Sequence, residues 1–185
     1  MKIIAGLGNP GNIYRNTRHN AGFKVIDGLR KRIKEKKIYS NKFFKGWEVE
    51  MDRECVLLLK PKTFMNESGI AIKKSLEIFN ENPENLIVIH DDLDIPLGKI
   101  KITLKRGPGT HKGVISIVNE IGTTHFIRIR IGIGKENIDM PYIDYVLSDF
   151  LPEEVEIFEK SVEKAVEACF DLIKIGLEKT MTKYN

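Results

Sequence analysis

Cysteine is scarce in this sequence, and apolar runs long enough for a membrane are missing from it. The two cysteines, Cys55 and Cys169, lie in apolar runs without metal-like spacing, so we expect two buried free thiols. No apolar run approaches the roughly 18 residues that span a membrane. Polar residues follow the start too soon for a signal peptide, and we therefore expect a cytoplasmic protein that does not bind membranes.

The remaining composition is ordinary for a soluble globular protein, with 42% hydrophobic and 30% charged residues. A length of 185 residues fits one domain with a sizeable core, so we predict a single domain over residues 1–185. The charge is uneven, because residues 1–50 hold twelve Lys or Arg and four acids, whereas residues 151–185 hold five Lys and eight acids. This asymmetry indicates either a polyanionic partner or solvated lysine-rich surfaces.

Short apolar runs alternate with segments of helical periodicity along the chain. This alternation predicts an α/β fold: a single globular domain with a mixed twisted β-sheet flanked by helices, and with a C-terminal helix. The predicted strands are 2–5, 43–50, 54–59, 86–89, 99–104 and 126–133, and the predicted helices are 20–34, 70–79, 114–121, 141–147 and 152 to about 176. Ligands of such sheets gather beyond the carboxyl ends of strands, so we expect Asn9, Asn66 and Asp91 to converge on one pocket.

About fourteen residues rich in Gly, Asn, Arg and His separate the first strand from the first helix, which is long for such a connection and typical of a functional loop. The Gly6-x-Gly8-x-x-Gly11 pattern matches the dinucleotide-binding fingerprint. However, Pro10-Gly11 and a polar stretch stand where the phosphate-binding helix should begin. We therefore predict no dinucleotide and no other cofactor, glycines that place Asn9, and Asn20 as the N-cap of the helix.

His19, at the entrance of that helix, is the leading candidate for chemistry. Imidazole has the only unperturbed side-chain pKa near neutrality, which suits a general base. A base needs an acceptor to orient its other nitrogen, and Asp91 is the best source of that carboxylate. The alternatives are a surface histidine or a partner in helix capping.

The sequence His90-Asp91-Asp92-Leu93-Asp94 also resembles a magnesium site, because carboxylates follow a strand. No other acidic cluster is available to complete such a site. We therefore predict no metal, and we assign Asp92 and Asp94 to turn or cap interactions.

Asn9 and Asn66 are the amides expected near His19. An asparagine near a helix start is often a cap, whereas one beside a base can donate a hydrogen bond to a substrate carbonyl, a role worth about 10²–10³ in rate. A basic stretch without an acid accompanies them; it consists of Lys99, Lys101, Lys105, Arg106 and Lys112, to which Arg130 is added. Its Gly-rich setting favours phosphate contact over solvated charge.

Five motifs together resemble the bacterial-type peptidyl-tRNA hydrolases. They are Gly6-Leu7-Gly8-Asn9-Pro10-Gly11, Thr17-Arg18-His19-Asn20-Ala21-Gly22, Pro61-x-Thr63-Phe64-Met65-Asn66-x-Ser68-Gly69, His90-Asp91-Asp92-Leu93-Asp94 and Arg128-Ile129-Arg130-Ile131-Gly132-Ile133-Gly134. The resemblance implies a monomeric hydrolase that cuts the ester between a peptide and tRNA and so recycles tRNA. The rival hypothesis is an RNA-binding protein of the same fold that does not catalyse hydrolysis.

The resemblance also implies roles for single residues. His19 would activate the water and Asp91 would orient and polarise His19, while Asn9 and Asn66 would hold the peptide and the hydrolytic geometry.

The resemblance also implies that Tyr14 and Phe64 line the cleft near the tRNA 3′ end. Lys101 and Arg130 match positions that clamp the phosphates of the acceptor stem, and two further cations that lie near such positions are Lys105 and Arg106.

One position departs from the family pattern. The Gly-rich loop of the family usually ends in Gly-His-Asn-Gly, whereas this chain reads Gly109-Thr110-His111-Lys112-Gly113. Lys112 therefore replaces an asparagine that, in the family, helps to place substrate and water. An ammonium donates hydrogen bonds but accepts none, and its charge is expected to favour the neutral imidazole of His19. We predict activity that is retained but altered.

Overall fold

Seven strands and six helices alternate along the protein, in a computed structural model that describes residues 1–185. The strands are β1 (Lys2–Gly6), β2 (Lys37–Ser40), β3 (Phe44–Met51), β4 (Glu54–Pro61), β5 (Leu86–Pro96), β6 (Ile100–Leu104) and β7 (Ile127–Gly134). The helices are α1 (Ala21–Arg32), α2 (Ser68–Phe79), α3 (Lys112–Ile121), α4 (Tyr142–Val146), α5 (Pro152–Lys174) and α6 (Leu177–Tyr184). Short 3₁₀ turns cover Asn12–Tyr14, Arg18–Asn20, Met65–Glu67 and Pro83–Asn85.

All seven strands form one mixed sheet in the order β2-β3-β4-β1-β5-β7-β6. Its four middle strands, β4, β1, β5 and β7, run parallel, and antiparallel neighbours flank them on both sides. The middle strands are covered on both faces, which explains the nearly continuous apolar sequences of β1, of β4 and of the first half of β5. Because they are parallel, their carboxyl ends lie at the same edge of the sheet, where ligands of open α/β sheets bind.

Alternate residues of the central strand β1 enter separate cores on the two faces of the sheet. Ile4 packs with residues of α1 and α5, whereas Ile3 and Ala5 pack with residues of α2 and α3. This period of two is the geometry of a strand buried on both sides. The helices therefore form layers on both faces, and the predicted α/β class is confirmed.

Two secondary-structure elements, strand β2 and helix α6, were not predicted from the sequence. Strand β2 is a short edge strand with little burial, so its sequence carries no apolar run. Helix α6 follows α5 after a turn at Gly176, whose φ of 82° suits glycine because it has no Cβ. None of the six helices has the length and apolarity that a membrane crossing requires.

Three local predictions were wrong. Cys55 is exposed because it lies near the outer start of β4, whereas Cys169 is buried in the core. Strand β5 extends to Pro96, beyond the predicted end at residue 89, so Asp91 is part of the strand rather than the loop after it. The side chain of Asn20 does not cap α1, because it bonds to the backbone of Asn9 instead.

Candidate active site

A cleft of about 790 Å³ opens at the edge of the sheet where the parallel strands end. The predicted site residues that line it are Asn9, His19, Phe64, Asn66, Asp91, Arg106, Lys112 and Arg130. The expected convergence of Asn9, Asn66 and Asp91 is therefore found. Its other walls come from the Gly-rich loop before α3 and from helix α4.

His19 and Asp91 form a hydrogen-bonded pair in this cleft. His19 lies in the 3₁₀ turn before α1, and its Nδ1 is 2.9 Å from Oδ1 and 2.8 Å from Oδ2 of Asp91. An ionised carboxylate only accepts, so the proton lies on Nδ1 of the neutral imidazole. His19 Nε2 makes no hydrogen bond within the protein and keeps a free lone pair, as a general base requires.

Close backbone packing holds the start of α1 against the sheet. A Cβ on Gly22 would lie 2.3 Å from the carbonyl oxygen of Ile89 and 2.4 Å from the nitrogen of Leu7. Only glycine permits this approach, since real Cβ contacts are far longer. Because Ile89 is two residues before Asp91 in β5, this contact brings the turn with His19 to the carboxylate.

His111 is a second histidine on Asp91, and the sequence analysis did not assign it a role. Its Nε2 donates to Oδ1 of Asp91 at 2.9 Å. Its Nδ1 accepts from the backbone N–H of Val114 at 3.3 Å, so His111 is the N-cap of α3 and its tautomer is defined. A histidine just before an amphipathic helix was the available signal, because a capping imidazole leaves its second nitrogen free for a carboxylate.

The charges of this trio shift two pKa values. Burial alone would raise the pKa of Asp91, but His19 and His111 hold it well below its usual range, so the carboxylate stays ionised. Burial lowers the pKa of His19, but the charge and hydrogen bond of Asp91 outweigh burial, so the net pKa lies above its usual value. Lys112, whose charge was expected to favour the neutral imidazole, is not among the causes of this shift.

Asn9 is held on three sides by the protein. Its Oδ1 accepts from the backbone N–H of Met65 at 2.7 Å, and its backbone bonds to the side chain of Asn20 in both directions. The remaining group, Nδ2, has no partner in the protein and is available to a ligand in the cleft. The position thus supplies an oriented donor beside His19.

Asn66 and the two aromatic residues lie at the outer rim. Asn66 is exposed, makes no side-chain hydrogen bond, and does not cap α2. Phe64 is 51% exposed and lines the cleft, whereas Tyr14 lies behind it, with its ring edge-on to Phe64 at a centroid distance of 6.2 Å. Tyr14 therefore supports the rim and does not line the cleft.

The predicted phosphate-binding cations occupy three different settings. Arg106 is exposed and lines the cleft, whereas Lys101 and Lys105 are exposed outside it. Arg130 is buried, and its Nε donates to Oδ2 of Asp92 at 2.8 Å. Arg130 is thus a partly neutralised cation, while Lys101, opposite it in the sheet, is free.

Arg128 is a buried cation that the sequence analysis did not include among the site residues. Its Nη2 donates to the carbonyl oxygens of Arg106 and Gly107 at 2.9 and 2.8 Å. Burial, with the nearby charges of Arg130 and Arg106, lowers its pKa to about 10, so it remains charged at neutral pH. Arg128 therefore fixes the Gly-rich loop that contains Arg106.

Lys112 is the first residue of α3 and lines the cleft. Its side chain is exposed and makes no hydrogen bond or ion pair in the protein. The ammonium is consequently free to meet an anionic or carbonyl group of a ligand. It lines the cleft together with His19, and no hydrogen bond joins the two side chains.

Two of the three carboxylates considered for magnesium, those of Asp91 and Asp92, are bonded within the protein. Asp92 accepts from Arg130 through Oδ2 and from the backbone N–H of Asp94 through Oδ1, which is turn chemistry. Ligand atoms of His19, Asp91 and His111 lie within 4.8 Å of one another, as in some metal sites. Both imidazoles, however, donate N–H groups to Asp91, so a metal there would have to displace two protons.

The glycines after β1 do not open a phosphate-binding helix. The first turn after them, Asn12–Tyr14, is a three-residue 3₁₀ turn, and α1 begins only at Ala21. This geometry agrees with the argument against a dinucleotide.

Comparisons with known proteins agree on one family. The sequence model described as "Peptidyl-tRNA hydrolase" matches residues 3–185. The peptidyl-tRNA hydrolase of Aquifex aeolicus is 42% identical over 185 residues, which are 100% of this chain and 96% of that protein. The peptidyl-tRNA hydrolase of Thermodesulfovibrio yellowstonii is 45% identical over 194 positions, which cover 100% of this chain and 99% of that protein.

A solved structure agrees with these sequence relatives. The crystal structure of peptidyl-tRNA hydrolase from Acinetobacter baumannii superposes with a TM-score of 0.89 and 30% identity, and the match covers 98% of this chain and 93% of that one. Sequence and structure thus give the same result over almost the entire length, and the chain belongs to the peptidyl-tRNA hydrolase family.

Proposed function

We propose that this protein hydrolyses peptidyl-tRNA, cleaving the ester between the peptide and the terminal ribose and so recycling the tRNA. The observation that carries the proposal is the His19–Asp91 pair, in which an ionised carboxylate orients an imidazole with a free Nε2 inside a cleft. Membership of the family supports the choice of substrate.

In the proposed reaction, His19 Nε2 accepts a proton from water as the water oxygen attacks the ester carbonyl carbon. Asp91 stabilises the resulting imidazolium through the Nδ1 hydrogen bond, and His111 donates a second hydrogen bond to that carboxylate. The tetrahedral intermediate then expels the ribose oxygen, which takes the proton back from His19. The products are a free carboxyl on the peptide and a hydroxyl on the tRNA.

We assign to Asn9 the stabilisation of the negative charge that develops on the carbonyl oxygen, and to Asn66 the binding of other substrate groups. Asn9 has an unpartnered Nδ2 and a rigid attachment to Met65, so its donor is oriented before substrate binds. Asn66 is exposed and unbonded, so it suits the more variable peptide or ribose groups. Lys112 adds a third donor at the wall of the cleft.

We assign the tRNA phosphates to the cationic side of the cleft. Arg106 lines the cleft, Lys101 and Lys105 are exposed outside it, and Arg130 adds a buried charge shared with Asp92. Such contacts supply affinity without reading sequence, which suits an enzyme that must accept many tRNAs. Phe64, backed by Tyr14, offers a ring for stacking on an unpaired base at the tRNA 3′ end.

We further propose that the protein acts as a single-domain monomer in the cytoplasm, without a cofactor. One chain supplies every group that the proposed reaction uses, and one sheet connects both cores. The substrate class also implies the compartment in which translation takes place.

The test measures release of peptide from purified peptidyl-tRNA by the wild-type protein and by His19→Ala. We expect release by the wild type and a loss on the order of 10²-fold or more in the variant, because the base is removed. Equal release by both proteins would remove His19 from the mechanism. Tight binding of the substrate without release by the wild type would instead support a non-catalytic RNA-binding protein.

A second arm repeats the assay with EDTA. The proposed mechanism uses no metal ion, so the rate should not change. Loss of activity that Mg²⁺ or Zn²⁺ restores would contradict the metal-free mechanism, and substitution of His111 would then test whether His19, Asp91 and His111 hold the ion.

A further inference from the structure

Arg18, directly before His19 in the sequence, has a buried side chain that contacts a different part of the protein. It is 2% exposed, its Nη2 lies 2.7 Å from Oε2 of Glu154 in α5, and its Nε donates to Oγ of Ser148 at 3.2 Å. Its guanidinium also lies over two aromatic rings, 4.3 Å from the centroid of Tyr145 and 4.7 Å from that of Phe150. Four groups of the segment between residues 145 and 154 thus hold one side chain.

The backbone around Arg18 is attached to the same segment. The N–H of Arg18 donates to the carbonyl oxygen of Ser148 at 3.0 Å, and Thr17 forms an isolated antiparallel bridge with Asp149. The two residues before His19 are therefore paired with the segment through main chain as well as side chain. A shift of that segment would move the turn that contains His19.

The other end of the segment forms a wall of the cleft. Ile143 and Val146 of helix α4 and Leu147 directly after it line the cleft, and Tyr145 on the same helix lies under Arg18. The hydroxyl of Tyr145 donates to the carbonyl oxygen of Ile133 at 2.6 Å, which attaches α4 to the end of β7. Arg18 thus contacts the helix that lines the cleft and directly precedes the histidine inside it.

Stability alone is a poor explanation for this arrangement. A buried ion pair is often no more stable than apolar residues of similar size, because both charges lose their hydration. Here the hydrogen bonds do not fully replace the lost hydration, since Arg18 Nη1 is buried without a partner. The same group makes four contacts, with Glu154, Ser148 and two aromatic rings, which define a position far better than an apolar side chain would.

We propose that Arg18 is a positioning residue that fixes His19 and the α4 wall relative to each other. A substrate group that contacts the α4 wall and the water activated by His19 are then held in one geometry, which accelerates attack. This inference rests on the proposed hydrolysis, in which Arg18 itself touches neither water nor substrate.

The test uses two variants that avoid leaving a buried charge alone. Arg18→Lys keeps the charge but loses the planar fork and the ring contacts. The double variant Arg18→Met with Glu154→Gln removes both charges, and the glutamine can still accept from the N–H of Leu151, as Glu154 does at 2.8 Å. Arg32→Met is the matched control, because Arg32 pairs with Glu163 and Glu167 of the same helix α5 but on the surface away from the cleft.

We expect kcat to fall about 10-fold to 100-fold in both Arg18 variants, as small displacements of catalytic groups do, while KM changes less than about threefold. The melting temperature of the double variant should stay close to that of the wild type, and Arg32→Met should keep its kcat. Wild-type kcat in a folded double variant would overturn the proposal. A loss of rate that only follows the loss of folded protein would also overturn it.

A readout independent of hydrolysis separates this inference from the proposed function. The NMR signal of the His19 Nδ1 proton reports its hydrogen bond to Asp91 in any folded protein. We expect the signal to shift or broaden in both Arg18 variants and to stay unchanged in Arg32→Met. An unchanged signal would contradict the positioning role even if the wild type hydrolysed no peptidyl-tRNA, and that latter result alone would reject only the proposed function.

Discussion

The side chain of Asn20 holds the backbone of Asn9 in both directions. Asn20 Oδ1 accepts from the N–H of Asn9 at 2.8 Å, and Asn20 Nδ2 donates to its carbonyl oxygen at 3.0 Å. These two hydrogen bonds join the ends of the long loop after β1, so that residues 10–19 form a closed loop between Asn9 and Asn20. Because His19 precedes Asn20, this pair also sets the distance from the proposed base to the proposed donor at Asn9.

Asn9→Asp tests the donor without removing the contact that orders it. An aspartate can still accept from the N–H of Met65, but it has no amide N–H to donate. We expect thermal stability close to that of the wild type and a fall in kcat on the order of 10²–10³-fold for peptidyl-tRNA hydrolysis. Asn12→Asp, which adds the same charge at an exposed position of the loop, should stay within about twofold of wild type. Equal rates for both variants would exclude Asn9 as a donor.

Asp91→Asn should change both the rate and its pH dependence. In the wild type, kcat/KM should rise with pH as His19 loses its proton, with a midpoint above the usual pKa of imidazole because Asp91 raises it. In the variant the carboxylate charge is lost while burial remains, so the pKa of His19 should fall and the acidic limb should move to lower pH. The maximal rate should fall by about 10²-fold or more, because the orienting acceptor is weakened.

The pH profile of Asp94→Asn is the control for this shift, since Asp94 lines the cleft but does not contact His19. That variant should keep the midpoint of the wild type. A midpoint in Asp91→Asn that stays in place or moves to higher pH would show that another group titrates in the acidic limb.

His111→Gln should slow hydrolysis by about tenfold or more. A hydrogen bond to a charged group contributes roughly 1.5–3 kcal/mol, and the variant disturbs the bond that His111 donates to Asp91 at 2.9 Å. His125→Gln, at an exposed position after α3, is the matched control and should keep full activity. Measurement of kcat for the two variants decides the role, and unchanged rates in His111→Gln would limit that residue to capping α3.

Substitution of Lys101, Lys105 or Arg106 by alanine should raise KM for peptidyl-tRNA and leave kcat nearly unchanged. Each lost phosphate contact should also reduce the slope of log affinity against log salt by about 1 or slightly less. Titrations of wild type and variants between low and moderate salt measure that slope. Lys174→Ala, an exposed lysine of α5, is the control, and a slope change there equal to the others would indicate a nonspecific charge effect.

Lys112→Asn tests the one departure from the family pattern. Asparagine restores a group that both donates and accepts, whereas the ammonium of Lys112 only donates. We expect kcat to rise and the affinity for tRNA to fall severalfold, because the cleft loses an unpaired positive charge. Kinetics and binding measured on the same preparation test both effects. If neither changes, Lys112 has no part in substrate placement.

Much of the fold follows from local patterns in the sequence. The apolar run before Gly6 and the run Leu86–Ile89 are central parallel strands, and the stripe after Pro152 forms a helix that ends two residues before Gly176. These features depend on residues that are close together along the chain. Strand β2 was missed for the same reason, because its pairing with β3 and not its own composition makes it a strand.

The candidate site was predictable only in part. His19, Asp91 and Asn9 stood out because their residue types suit the chemistry and because they follow an apolar run of the sequence or precede a helix. The pairing of Arg130 with Asp92 was not predicted. It partly neutralises a cation that was expected to bind only phosphate. Helix capping by His111 was also hidden, because the side chain of a residue before a helix can take several directions.

By itself, the amino-acid sequence determined the periodicities of strands and helices and the chemical inventory of the site. Tertiary packing determined which of those groups meet. Asp91 bonds to His19 across 72 residues and to His111 across 20, and Arg18 reaches Glu154 across 136. Such contacts have no local signature, because strand order and helix placement bring the partners together only after the loops between them close. The sequence therefore supplied the base, His19. The fold supplied His111, which bonds to the carboxylate of Asp91, and Glu154, which holds Arg18 in the turn that contains His19.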